Sequence, residues 1–209
     1  MNQNAHEQIN SCSHVVLTFG TAWVYDHLES MQTVANCHKL PNTLFRKKLL
    51  SIDQIRSAMI NSITLIQDAN PSASILLTVS PVRHLKDGLI ENSRSKSHLL
   101  TAIHQVVEEL VGLSYFPSYE IMFDELRDYR FYNSDMIHPN ETAIEYIWDK
   151  FRSVWLDPNT RGTMKDVDKI QKGLAHKPFN KNSEAHIRFM ETIKQGQQRL
   201  TAEFPHMTF

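Results

Sequence analysis

Apolar positions recur along this chain in two rhythms. His14-Val15-Val16-Leu17-Thr18-Phe19 is a β-branched, apolar run that stops at Gly20, as a strand buried on both faces does. Ser74-Ile75-Leu76-Leu77-Thr78-Val79-Ser80 repeats that form and is stopped by Pro81. Leu113-Ser114-Tyr115-Phe116 predicts a short third strand, with Tyr119 to Met122 as its extension. Between these runs the spacing becomes helical. Ile52, Ile55, Met59, Ile60, Ile63 and Ile66 mark one helix face, opened by Ser51 as N-cap and closed by Asn70-Pro71. Leu99, Leu100, Ile103, Val107 and Leu110 mark a second, starting at Ser93 or Ser95 and ending before Gly112. Ile144, Ile147, Trp148, Phe151, Val154 and Trp155 mark a third, expected to turn that stripe to a core. Pro139 suits its first helical position, and Glu141 its first turn.

Strand, helix, strand, helix, strand, helix predicts an α/β domain: a three-layer sandwich around a parallel sheet with right-handed crossovers. In such sheets chemistry collects beyond the carboxyl ends of the strands. The loop from Gly20, the loop from Ser80 with Arg83, His84 and Gly88, and the loop holding Asp135 and His138 then share one rim. Residues 22–50 form a long connection without clear periodicity, and such connections are usually functional or locally structured. After Trp155 the composition shifts. Asp157-Pro158-Asn159 and Gly162 break the chain, and residues 163–175 and 183–203 predict two polar helices. Their thin apolar stripes (Ile187, Met190, Ile193, Leu200) suit an appendage that covers hydrophobic surface. The expected organisation is a domain over residues 1–156 and a helical extension over 157–209.

Charge and cysteine content narrow the function classes. The 209 residues hold 22 Lys+Arg against 23 Asp+Glu, a net charge of −1, which leaves no basic footprint for nucleic acid. No apolar stretch approaches membrane-spanning length, and the polar first dozen residues lack a signal-peptide core. Cys12 and Cys37 stand outside any Cys-x-x-Cys pattern, so a reducing, cytoplasmic setting is expected, with no cofactor.

The most pointed chemistry is Asp135-Met136-Ile137-His138-Pro139. An aspartate three residues before a histidine, on a loop opening a helix, can orient the imidazole as the acid–base half of a Ser-His-Asp site. The alternative from spacing alone is a pair that caps the helix. A metal role is weaker, because no Cys or His cluster supplies further ligands. Ser80 would sit on the rim near His84, but no Gly-x-Ser-x-Gly elbow surrounds it and Pro81 removes the next N–H; a turn serine is the better reading. Cys37 adjoins His38, yet adjacent side chains rarely face one another, so Cys37 is taken as a loop or packing residue. His38 and His84 are candidates to line a substrate pocket.

Several ordered strings resemble the GSCFA family: Thr18-Phe19-Gly20-Thr21-Ala22-Trp23-Val24-Tyr25, Asn36-Cys37-His38-Lys39, Thr78-Val79-Ser80-Pro81-Val82 and Tyr115-Phe116-Pro117-Ser118-Tyr119-Glu120. Asp135-Met136-Ile137-His138-Pro139 and His176-Lys177-Pro178-Phe179 extend the resemblance from about His14 to the C-terminus. That bacterial family is similar to the SGNH (GDSL-like) esterases and acylhydrolases. The resemblance implies a flavodoxin-like 2-1-3-4-5 sheet, Asp135 and His138 as triad carboxylate and base, and Gly20 at the place of a Gly-x-Asn-Asp block.

Two departures qualify what it implies. The Gly-Ser-Cys-Phe-Ala string, whose serine is the family's expected nucleophile, does not occur here, and Ser11-Cys12-Ser13 resembles it only superficially. The expectation is a chain that begins partway into the family sequence, without the first strands. Second, Ala22 and Trp23 replace the amide and acid of the Gly-x-Asn-Asp block. Asn36 is then the candidate oxyanion donor, or else simply a turn asparagine. The expected function is an ester or acyl hydrolase of unassigned substrate, inactive by itself for want of the serine. The alternative is a non-catalytic binding or scaffold protein using the sheet rim and the C-terminal helices. Expected partners are a small-molecule or acylated substrate and a second copy joined through an exposed edge of the Val15–Val16 strand.

Overall fold

The computed structural model describes residues 3–34, 36–37, 39–180 and 182–209. The chain divides into two compact units, Met1–Asp149 and Lys150–Phe209.

The first unit opens with helix α1 (Gln3–Ser11) and strand β1 (His14–Phe19). The Asn70 amide donates to the carbonyls of Ile9 and Cys12, each at 2.8 Å, closing the end of α1 against the end of the next long helix. The stretch expected as an irregular connection folds into β2 (Trp23–His27), β3 (Gln32–Val34) and β4 (Phe45–Leu49), an antiparallel sheet in the order β3-β2-β4. Its strands are short, and their polar alternation is set by buried Asp26. That carboxylate accepts from Thr33 Oγ1 and pairs with Lys48 Nζ, both at 2.7 Å, so charge rather than an apolar face organises the ladder.

Helix α2 (Ile52–Ala69) begins at Ser51 with a reciprocal capping box to Gln54, and buries Ile55, Met59 and Ile63 as the spacing predicts. Strand β5 (Ser74–Val79) follows. Helix α3 (Leu89–Glu109) starts at Gly88, several residues before Ser93 and Ser95. Gly88 has φ +88°, which a β-carbon would disfavour, and this lets the chain turn into the helix early. Strand β6 (Leu113–Phe116) completes a parallel sheet of order β1-β5-β6. Ile75, Leu77 and Val79 of β5 pack with the buried faces of α2 and α3, joined by Val15, Leu17 and Phe19 of β1. Each fully buried aliphatic side chain is worth about 1.5–3 kcal/mol, so this cluster holds the sheet and the rim only rides on it. The fold is α/β with a parallel sheet.

Beyond Phe116 the predicted strand extension is replaced by helix: α4 (Ser118–Glu120) runs into a π-helical segment, Ile121–Leu126. Pro117 ends the ladder, and Ser118 Oγ donates to the Val79 carbonyl at 2.7 Å, folding the chain back over the sheet end. Helix α5 (Glu141–Trp155) is capped by Asn140, whose side chain accepts from Ala143 N; Pro139 stands outside the helix, bridged to Tyr132. The buried face of α5 is Ala143 with Ile147, against Met122, Leu126 and Tyr132. Ile144, Trp148 and Val154 of the expected stripe are exposed. Small Ala143 lets α5 approach the Tyr132 loop closely, and that contact sets the helix rotation.

The second unit holds α6 (Arg161–Ala175) and α7 (Glu184–Glu203), close to the predicted helices. Ile170, Ile193 and Leu200 form its core with Val167, Phe204 and Met207. A β-carbon at Gly173 would lie 2.4 Å from Ile193 Cδ1, so the glycine is what lets the two helices close. Among the described residues no helix is long and apolar enough to cross a membrane.

Candidate active site

The Asp135 loop is a tight turn built on its own backbone. Asn133 N donates to the His138 carbonyl at 2.8 Å, and Met136 N to the Asn133 carbonyl at 2.9 Å, with Met136 in the left-handed region. Within this turn Asp135 Oδ1 accepts from Ile137 N at 2.8 Å and His138 N at 3.0 Å. Its other oxygen, Oδ2, lies 2.7 Å from His138 Nδ1. The imidazole contact and the two backbone donors pull the carboxyl pKa down to about 2. The carboxylate is therefore ionised at neutral pH and favours a proton on Nδ1, which in that tautomer leaves Nε2 as the acceptor nitrogen. Both side chains are partly open to solvent. Since Asn140 takes the cap of α5, capping does not account for the pair.

A buried lysine lies at the strand ends. Lys96 on α3 is 2% exposed; its ammonium donates to the Gly20 carbonyl at 2.7 Å and the Ser80 carbonyl at 2.6 Å. It also faces the Tyr119 ring at 5.8 Å. These bonds tie together the residues that follow β1 and β5. Burial lowers the Lys96 pKa to about 8. On the residue immediately before Lys96, Ser95 Oγ accepts from Ala22 N at 2.7 Å and meets Thr21 Oγ1 at 3.0 Å. The Ala22 N–H is thus consumed within the core and is not offered to a ligand.

His84 packs on Gly20: a β-carbon there would lie 3.2 Å from His84 Nε2. The His84 backbone N–H is held by Asn92 Oδ1 at 2.8 Å. Burial of the ring, and then the Lys96 charge, lower the His84 pKa; the His138 charge acts in the same direction, which puts the two imidazoles in one field. Arg83 links this loop to the turn, its N–H reaching the Ile137 carbonyl and its Nη1 the Met136 carbonyl, both at 3.4 Å.

Gly20 and Ser80 thus close the carboxyl ends of β1 and β5, His84 packs on Gly20, and the Asp135–His138 turn is bonded to the His84 loop through Arg83. Ser80 Oγ accepts from Val82 N at 3.2 Å, a turn contact. Asn36 is exposed on the loop after β3. Cys37 is a half-buried free thiol in the same loop. His38 lies outside the described residues. Among the described residues no serine, threonine or cysteine side chain is hydrogen-bonded to His138, and no group of three or more His, Cys, Asp or Glu side chains could hold a metal.

Sequence reasoning missed Lys96, Ser95 and Asn92. A signal was present: Asn92, Lys96, Leu99 and Ile103 share the α3 face that Leu99 and Ile103 define, so its first turns put polar groups toward the interior.

A family model described as the GSCFA family matches residues 1–151. The chain belongs to the GSCFA family. A second model, the C-terminal domain of GSCFA domain proteins, matches residues 167–209. A search of curated proteins finds no match. For this family member the Asp135–His138 turn lies within the first matched region, and α7 within the second.

Proposed function

We propose that this GSCFA chain carries the acid–base half of an SGNH-like hydrolase site acting on an ester or acyl group. The observation that supports it most is the 2.7 Å bond from His138 Nδ1 to an Asp135 carboxylate held by two backbone N–H groups. In this reading His138 Nε2 takes a proton from a nucleophilic hydroxyl and returns it to the leaving group, while Asp135 fixes the tautomer and steadies the imidazolium. Among the described residues no hydroxyl is hydrogen-bonded to His138, and in this reading the 209-residue chain is inactive alone. A fluorophosphonate probe tests this, with no serine of the chain labelled. Fused behind a family segment bearing Gly-Ser-Cys-Phe-Ala, that segment's serine labels and p-nitrophenyl acetate turns over. H138A abolishes turnover, by about 10²–10⁴-fold. Turnover unchanged in H138A would remove His138 from the role of base.

A second reading is favoured by β1, which among the described residues ends the parallel sheet and carries an exposed Val16 on its face. Here the chain is a non-catalytic binding or scaffold protein that self-associates through that strand. A strict monomer across concentrations by light scattering excludes it.

A further inference from the structure

The rim holds an arginine whose fork is not spent on any acid. Arg46, Arg56 and Arg94 each meet a carboxylate: Asp26, Glu109 and Glu91. Arg83 does not; among the described residues no carboxylate lies within ion-pair distance of it. Its guanidinium carbon instead lies 4.3 Å from the ring centre of Tyr132, 5.1 Å from Tyr129 and 5.6 Å from Phe123. Its Nη1 contact to the Met136 carbonyl, at 3.4 Å, is long. The guanidinium also hydrogen-bonds the Tyr132 side chain, and neither that phenol nor the Met136 carbonyl carries a formal charge, so the N–H groups left over can meet a planar anion.

The acids nearby are committed elsewhere. Asp135 is taken by its own turn, Asp87 by Lys47, and Glu120 by the Tyr115 hydroxyl at 2.8 Å. Asp124, on the π-helical segment, is near enough to Tyr119 to influence its phenol but makes no ion pair with Arg83. A second cation stands on the same aromatic strip: Tyr119 stacks on Phe123 at 4.3 Å and receives the Lys96 ammonium on its face. Arg83 and Lys96 thus leave positive charge without a carboxylate partner beside His84 and the Asp135–His138 turn. Arg83 is bonded to that turn at the carbonyls of Met136 and Ile137, so a group on its fork lies next to His138.

We propose that the rim takes a substrate bearing an anionic oxygen group, a carboxylate or a phosphate, and that Arg83 is the residue that reads it. This rests on the hydrolase reading for its chemistry, whereas the binding event does not require turnover. A neutral acyl ester would leave the Arg83 edge facing water; an anionic one forms two parallel N–H···O bonds to it.

The test is binding to the full chain, followed by NMR at the Arg83 Nε–H and the His138 ring, with inorganic phosphate, acetate and neutral acetamide titrated separately. Phosphate or acetate is expected to shift both signals with a millimolar dissociation constant, acetamide to shift neither, and the tighter anion to identify the class. R83Q weakens binding about tenfold, and R83K, which keeps charge but loses the fork, about threefold. Thermal melting checks that each variant is folded, and R83K serves if R83Q is not. Anion affinity unchanged in the folded variants, equal response to acetamide, or no shift at Arg83 with either anion overturns the proposal. Failure of the serine-supplied chain to turn over ester, with anion binding intact, overturns the hydrolase reading alone.

Discussion

The ammonium of Lys96 donates to the carbonyl of Gly20 across 2.7 Å, although seventy-six positions separate them in sequence. With the matching bond to Ser80, it fastens both strand ends that carry the candidate site.

Replacing this lysine therefore sets two effects against each other. K96M relieves a buried charge but leaves two carbonyls without their donor, at about 1–3 kcal/mol for each unsatisfied buried group. The expected net result at pH 7 is a loss of about 1–3 kcal/mol, read by urea denaturation.

The same residue gives stability a pH dependence of known sign. Its folded pKa, about 8, lies below its ordinary 10.5, so between these values the unfolded chain binds more protons and stability rises with pH. His84, also facing Lys96, has its pKa lowered, so it titrates below this window. Tyr119 has its phenol raised, which opposes the rise only above about pH 10, the ordinary phenol value. Denaturation of wild type and K96M from pH 7.5 to 9.5 should show the rise in wild type only; parallel curves would show that Lys96 is not the group responsible.

The Asp135–His138 bond makes a prediction independent of any substrate. In wild type ¹⁵N spectra should show the neutral ring protonated at Nδ1. D135A removes that acceptor, and the ring should shift toward the Nε2-protonated form that free imidazole side chains favour. An unchanged tautomer ratio would show that the carboxylate does not orient the ring.

In the C-terminal unit, G173A puts a carbon 2.4 Å from Ile193 Cδ1. The expected cost is about 1–3 kcal/mol of overpacking, seen as a lower melting temperature. I193A combined with G173A should recover part of that loss, because the removed atoms are those the new methyl meets.

Self-association through β1 should respond to charge on its exposed face. V16K is expected to lower any concentration-dependent mass in light scattering, since an edge lysine opposes strand pairing.

How much was legible in sequence follows from range. The runs at Val15–Phe19, Ile75–Val79 and Leu113–Phe116 announced strands, and the Ile55–Met59–Ile63 spacing a helix, because burial periodicity is local. Asp135 and His138 were legible for the same reason, as both lie within one turn. The antiparallel sheet over Trp23–Leu49 was not, because its pairing depends on Asp26 meeting Thr33 and Lys48 and its strands carry no strong apolar alternation.

The chain's own pattern determined the strand–helix alternation, the two C-terminal helices and the identity of an aspartate–histidine turn. Only tertiary structure decided that Lys96 would cap Gly20 and Ser80, that Arg83 would lie in an aromatic cage beneath that turn, and that α5 would bury Ala143 in place of Ile144. Local spacing reports which face of an element is apolar; the partner of a buried charge comes from another part of the chain, and folding alone brings the two together.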